Sequence, residues 1–485
     1  MSPTTQQQEP LSQQRDITII GGGIIGCSIA YYLTRHPLYS PSKHRITILE
    51  ASSTSSGGRT QDSTSDPAAL AGSTTQGGTP PQARNPAHDG IAGGSSGKAG
   101  GLLALWAFPS NIVPLSFRLH DELAGEHGGA SRWGYRRCHA SQVECQARLP
   151  GGSLAGGPGA QGDAGAAGKS SSSGGGGVTR GLHKDHRKTI SKLKNLGAPE
   201  DLDWLDAEYS LAAYEGMGTP DDTAQVHPEL FTRSMAQLAE DAGVRIITGA
   251  RATDINDDDD TGHVRSVSYV GKDKDGLQHL PSTDVVVAAG PWTSRLLPQV
   301  PVTASRAHSI VIKSPNPLSA YALFTSIALP PGFPAPTSRD AVTAPPTKQQ
   351  QVIKRMQVVE PEIYARPDGT AYACGPTDDA ADLPLTTAEV EVDRARCEDI
   401  ARQVGAVSDD LGRDGEVVAR QACYLPQGGP FIGPVPGRKG VYVAAGHTCW
   451  GIQNAPGTGK LVSEILLDGA AKSARLGSCD PSRIL

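Results

Sequence analysis

The residues best suited to chemistry stand near the start of the chain. There Gly21-Gly22-Gly23-Ile24-Ile25-Gly26 separates a short apolar run, residues 17–20, from a helical stretch, residues 24–33. A G-x-G-x-x-G between strand and helix is the pattern of a dinucleotide site. Gly21 permits a tight turn, Gly23 lets backbone approach a pyrophosphate, and Gly26 lets helix and strand pack closely. The helix N-terminus beyond them presents N–H groups and partial positive charge to phosphate. A second apolar run, residues 46–49, ends at Glu50. A carboxylate there accepts from an adenosine ribose hydroxyl and repels a 2′-phosphate, which disfavours NADP.

Other segments bear on which dinucleotide this is. Ser95-Ser96-Gly97-Lys98-Ala99-Gly100-Gly101-Leu102 is a run of small residues leading into an apolar stretch. A buried strand pattern from Asp284 ends in Ala289-Gly290-Pro291-Trp292, and Gly446-His447-Thr448-Cys449-Trp450-Gly451-Ile452 follows a strand pattern far downstream. With Gln225-Val226-His227-Pro228, this order resembles the FAD-dependent D-amino-acid oxidase superfamily, including glycine, sarcosine and fructosyl-amino-acid oxidases and many fungal oxidoreductases.

The resemblance implies FAD and assigns residues to it. Gly21, Gly22, Gly23, Ile24, Ile25 and Gly26 would hold the pyrophosphate, and Glu50 the ribose. Ser95, Ser96, Lys98, Ala99, Gly100, Gly101 and Leu102 would run beneath the isoalloxazine and ribityl chain. Ala252 would meet the adenine edge, with Ala289, Gly290 and Trp292 along the pyrophosphate. Gly446, His447, Gly451, Ile452 and Gln453 would lie near the flavin pyrimidine ring, where negative charge develops on reduction, and a helix beginning near Ala455 would add its dipole. Trp450 reads as an aromatic wall over the flavin or as core packing. Tyr364 and Arg366 read as substrate contacts or as edge-strand residues.

The chain departs from the family pattern in three places. Glycine and D-amino-acid oxidases bind the substrate carboxylate with an arginine shortly before the segment that here reads Gly429-Pro430-Phe431; this chain has Gln421-Ala422-Cys423-Tyr424 there, and its nearest arginine is Arg420. Sarcosine-type members carry a lysine where Gln453 stands and another, linked to oxygen activation, near Ala373. Those relatives attach FAD through a cysteine in the region of Cys423. A thiolate aimed at the flavin C8 methyl can make that bond, whereas a buried thiol cannot. Non-covalent FAD is the expectation.

The elements that must position these groups alternate. Besides the strands already named, residues 244–247, 264–270, 284–288 and 441–445 read as strands. His227-Pro228-Glu229 opens a helix whose apolar Leu230, Phe231, Met235 and Leu238 recur at helical spacing. Asp257-Asp258-Asp259-Asp260 reads as a solvated turn. Pro367-Asp368-Gly369 between alternating runs reads as a hairpin. Gly457-Thr458-Gly459-Lys460 fails as a P-loop, because Asn454 and Leu461 stand where glycine and Ser/Thr are needed. The basic stretch 183–194 reads as a solvated helix face.

Residues 52–93 and 149–181 hold Gly, Ser and Ala with few large apolar side chains, and are expected to be flexible insertions, with flexible tails at 1–13 and 473–485. The expected fold class is α/β: a doubly wound, Rossmann-like FAD/NAD(P)-binding domain (14–108, 222–300 and 408–472) with an interleaved antiparallel-sheet substrate domain of α+β type (109–221 and 301–407).

Composition narrows the function further. A net charge of −6 supplies no basic footprint for nucleic acid or an anionic membrane. No apolar run approaches the ~18 residues of a membrane span. The polar N-terminus does not read as a secretory signal, and the closing Arg483-Ile484-Leu485 is not a peroxisomal address. Eight scattered cysteines without zinc spacing read as reduced thiols, so no metal is expected and the cytosol is the expected compartment. The implied reaction is hydride transfer from a carbon beside an amine nitrogen to flavin N5, with oxygen or another acceptor reoxidising the flavin. The alternative is FAD held as a structural ligand in a protein that acts through a protein partner.

Overall fold

The computed structural model describes residues 14–53, 88–149, 186–272, 276–336 and 352–483. The expected tail at 1–13 and the interiors of both expected insertions lie outside them.

Arg15–Ile20 is buried on both faces from Ile17 onward and takes an inner place in a six-stranded sheet. It pairs in parallel with Asp284–Val287 on one side and His44–Glu50 on the other. Val441–Ala445 and Arg245–Thr248 extend the parallel set, and Phe431–Pro434 adds an antiparallel edge. Strands covered on both faces need runs of Ile and Val rather than alternation, which Ile17, Ile19 and Ile20 and Val285, Val286 and Val287 supply. One face is covered by the helices Ile24–Thr34, Pro228–Asp241 and Gly451–Asp468, which share a core with Phe117, Leu123 and Trp133. Helix–helix approach is close at Gly459, where a Cβ would stand 2.6 Å from the Ser28 carbonyl oxygen, so the glycines that imitate a P-loop are packing residues.

The other face is covered by a three-stranded antiparallel sheet, Ala250–Asp257, Val264–Gly271 and Leu277–Pro281, and the short helix Thr293–Leu296. Here the structure departs from a helical layer on both faces. The acidic run closes the first turn of this small sheet, where the Asp258 carboxylate accepts from the N–H groups of Asp260 and Thr261.

A second, larger sheet orders Glu416–Gln427, Thr303–Lys313, Thr370–Asp378, Glu362–Ala365, Tyr321–Leu329, His139–Gln146 and Leu211–Gly218. It is antiparallel except where Tyr321–Leu329 runs parallel to His139–Gln146. The expected hairpin is present: Arg366 N–H donates to Thr370 O at 2.7 Å, and Gly369 takes φ +74°. Period-two alternation puts Ile363, Ala365, Ala371 and Ala373 into the core on one face. Cross-strand pairs Glu362/Cys374 and Tyr364/Tyr372 therefore share the other face.

Several expected boundaries shift. Glu416–Gln427 belongs to the large sheet rather than the nucleotide domain. Val113–His127 and Gly129–Trp133 pack on the nucleotide side rather than with the substrate sheet. The expected insertion at 52–93 is ordered at both ends, with Ser52 and Ile91 buried. The expected tail after 473 packs through buried Cys479, beside which Asn111 donates to the Leu476 carbonyl. Composition averaged over a window cannot show that one isoleucine or cysteine anchors a polar segment. Leu230 is exposed, and Phe231, Met235, Ala236 and Ala239 form the buried face of its helix. In His186–Asn195, Thr189 and Leu193 are buried while Lys188 and Lys194 face solvent.

Candidate active site

Gly21 ends the first strand at φ +119°, and a Cβ on it would stand 2.3 Å from the Ala288 carbonyl oxygen. Gly26 is equally constrained, its Cβ position lying 2.0 Å from the Gly21 oxygen. Gly23 differs, because a Cβ there would meet only Ser96 Oγ at 3.1 Å. The protein's own packing does not demand glycine at 23; the space lies toward the cleft that Gly23 lines.

The helix Ile24–Thr34 has no acid in its first turn and no capping side chain at Gly23. Ser96 supplies an acceptor from far along the chain, its Oγ taking Ile24 N–H at 3.0 Å. At the second strand, Glu50 accepts from Gly22 N–H at 2.8 Å and from Ser52 N–H at 2.9 Å. These bonds fix the carboxylate at the cleft wall, although burial raises its pKa above the usual range. A cradle that a side chain at 23 would fill, a helix N-terminus without an acid, and a held carboxylate beyond it fit the pyrophosphate and ribose of FAD.

The cleft continues past Ala252, Ala289, Gly290 and Trp292 to Gly446, His447, Gly451 and Ile452. Gly451–Asp468 begins at Gly451, earlier than the expected start near Ala455. Pro456 sits inside it and cannot donate to the Ile452 carbonyl. His120 replaces that donor, its Nε2 lying 3.0 Å from Ile452 O and 3.2 Å from Gln453 O. Burial pushes His120 down to about 4, so the ring is neutral. His447, also buried and pushed down to about 3, bonds Thr458 Oγ1 at 3.0 Å.

Ser95, Ala99, Leu425, Cys449 and Ile452 line both this cleft and a second chamber of about 820 Å³. Tyr364 packs its ring on Gly100, where a Cβ would stand 2.7 Å from it. Edge-to-face contacts run from Trp450 to Trp106 (5.8 Å between centroids), from Trp106 to Phe324 (6.3 Å) and from Phe324 to Tyr364 (6.3 Å). Tyr364 meets Tyr372 at 5.8 Å. Tyr364 donates its hydroxyl to Glu362, which also lies 3.8 Å from Cys374 Sγ.

Most of the residues expected from sequence converge here, with corrections. Trp450 and Tyr364 line the chamber. Arg366 does not: it is buried, donates to the Ala99 carbonyl at 3.0 Å and lies over the Tyr372 ring. Gln453 also lines neither cavity, because it faces inward from the helix and accepts Ala104 N–H at 2.8 Å. Gly22 and Gly26 support the cleft without lining it, whereas Lys98, Gly100, Gly101 and Leu102 line the chamber rather than the cleft. Lys98 donates to the Ala422 carbonyl at 3.0 Å. It is the cation acting on Cys423, whereas Arg420 pairs with Glu398. Sequence reasoning missed Glu362, Phe324 and the segment Leu385, Thr386 and Thr387, which lines the cleft from the substrate side. The alternation of residues 362–374 was a usable signal for Glu362; the others carry no local pattern.

Comparison with known proteins agrees with this geometry. The family model "DAO: FAD dependent oxidoreductase" matches residues 16–70 and 87–465. "Putative oxidoreductase TDA3" of Saccharomyces cerevisiae is 30% identical, over 96% of this chain and 94% of its own length. "Putative oxidoreductase C1F5.03c" of Schizosaccharomyces pombe is 29% identical, over 97% and 99%. Glycine oxidase from Geobacillus kaustophilus shares the fold with a TM-score of 0.58 at 18% identity, covering 97% of this chain and 99% of that one.

Proposed function

Because the chain belongs to the DAO family of FAD dependent oxidoreductases, we propose that it oxidises a C–N bond of an amine or amino-acid-like small molecule, with FAD held non-covalently. The observation that carries this reading is the chamber itself, which meets the nucleotide cleft at Cys449 and Ile452 under an aromatic wall. Bound FAD supplies the hydride acceptor, and oxygen or another acceptor reoxidises it.

The chain's own residues do the rest. The turn at Gly21 and the N-terminus of Ile24–Thr34 would hold the pyrophosphate, and Glu50 the ribose. Backbone from Gly446 to Ile452, with the N-terminal dipole of Gly451–Asp468, favours negative charge at that end of the cleft. Trp450, Phe324, Tyr364 and Tyr372 would keep water from the reacting carbon and restrict the amine's orientation. Burial pushes the Cys423 thiol up to about 11, so it stays protonated and a poor nucleophile toward the flavin. All eight cysteines are free, which supports a reducing compartment, the cytosol.

The test is an absorbance spectrum of the purified protein followed by an anaerobic screen of amines and amino acids. Bleaching of the bound flavin by an amine supports oxidation. A yellow protein that no candidate bleaches would favour FAD as a structural ligand and action through a protein partner.

A further inference from the structure

We propose that the chamber selects a cationic amine without a carboxylate group, seated between the Glu362 carboxylate and the rings of Trp450, Phe324 and Tyr364. This rests on the amine-oxidising reading above and names the substrate class for that site.

The first observation is the setting of Glu362. Among the described residues its side-chain partners are the Tyr364 hydroxyl and the Cys374 thiol, neither of them a cation. Burial raises its pKa, as expected of a carboxylate taken from water without a counter-charge. It is felt by Cys449, one of the residues shared with the cleft, so it acts at the flavin end of the chamber. A ligand ammonium placed there would supply the missing counter-charge. Proton transfer from that ammonium to Glu362 then breaks an N–H bond, forms an O–H bond and leaves both partners neutral, the amine with the lone pair that oxidation needs.

The second observation is the wall. Aromatic faces attract a cation and repel an anion through the ring quadrupole, and this chamber has four such residues lining it.

The third is where the cations go. Arg366 serves the Ala99 carbonyl, and Arg420 serves Glu398. Arg396, which lines the chamber, lies 3.4 Å from Asp378 and 3.8 Å from Asp393. Lys98 reaches the Ala422 carbonyl, beside Cys423 rather than Glu362. Among the described residues that line the chamber Arg396 is the one arginine, and its guanidinium already faces the Asp378 and Asp393 carboxylates, which opposes a bidentate contact with a substrate carboxylate.

The experiment titrates the FAD-loaded protein with benzyltrimethylammonium, which cannot be oxidised at the bound nitrogen, and with benzoate, following the flavin spectrum. The cation is expected to perturb the spectrum saturably, and benzoate at the same concentrations to leave it unchanged. Glu362→Gln should weaken the cation at least about tenfold while FAD content stays full, and Trp450→Leu should weaken it several-fold. If Glu362→Gln does not hold FAD, Glu362→Asp replaces it. Benzoate binding as tightly as the cation would overturn the proposal and turn attention to Lys98; so would an unchanged dissociation constant in the Glu362 variant. Cation binding in a protein whose flavin no amine bleaches would keep the selectivity and defeat the oxidative reading. Bleaching by N-methylglycine as readily as by N-methylbenzylamine would do the opposite.

Discussion

In the cleft, Gly21, Gly23, Gly290, Gly446 and Gly451 stand beside side chains such as Trp292, Arg295 and Thr386, and its carboxylate, Glu50, is held by two backbone N–H groups. In the chamber, Glu362, Tyr364, Tyr372 and Cys374 stand on two paired strands beside Phe324 and Trp450 from other elements, and its carboxylate, Glu362, is held by a phenol and a thiol. Burial raises both carboxyl groups above the usual range. Only Glu50 has backbone donors that oppose the shift. The contrast separates two tasks. A turn whose glycines meet neighbouring backbone, as Gly21 and Gly26 do, tolerates little change. A chamber built from side chains can be retuned to another substrate without disturbing the fold beneath it.

The largest effect is expected at Gly21. Valine there would need a left-handed backbone and would collide with the Ala288 carbonyl, so Gly21→Val should yield no soluble yellow protein. Stoichiometric flavin in that variant would show that the turn is not what holds the sheet and nucleotide together.

Gly23→Leu divides the cleft more finely. Only Ser96 Oγ stands near its Cβ, so the fold should survive, with FAD affinity reduced by about a hundredfold or more. Soluble colourless protein with the circular dichroism of the wild type is the expected result. Full FAD occupancy would remove the pyrophosphate assignment.

A smaller change is expected at the junction of the two cavities. His120→Phe leaves the Ile452 carbonyl without its donor and should cost about 1–3 kcal/mol of stability. The pH dependence has a definite sign. With a folded pKa of about 4 against an ordinary value of 6.5, His120 binds fewer protons folded than unfolded between those values. Its contribution is therefore complete above pH 6.5 and is lost as pH falls toward 4, by up to about 3 kcal/mol. Thermal melts across that window should show a shallower acid decline in the variant; equal slopes would exclude His120 as a source.

The smallest effect is expected at Cys423. Acid precipitation should release the flavin into the supernatant from wild type and from Cys423→Ala alike, because a thiol with a pKa of about 11 does not attack the ring. Flavin retained in the wild-type pellet and freed by the substitution would make Cys423 an attachment site and tie the chamber covalently to the cleft.

The cleft was legible because its requirements are local. Gly21, Gly23, Gly26 and Glu50 belong to one strand–turn–helix–strand unit; Gly21 and Gly26 answer to backbone distances within that unit or the next strand, and Gly23 to the cleft it lines. The helix at Gly451 was misplaced for the converse reason. It starts at Gly451 and runs through Pro456, because His120, far away in sequence, supplies the donor that proline lacks. Gln453 and Arg366 looked available for chemistry, yet each faces away from both cavities and bonds a backbone partner, Ala104 N–H and the Ala99 carbonyl, which no spacing rule reveals.

Glycine spacing, buried strand runs and a terminal acid determined by themselves that this chain makes an α/β fold on a parallel sheet with a tight glycine turn after its first strand. Tertiary structure alone decided that Glu362, Tyr364, Tyr372, Phe324 and Trp450 surround one chamber. Strand pairing and sheet-to-helix packing bring those side chains together from three separate stretches of chain, and a distance across a sheet is not written in any one of them.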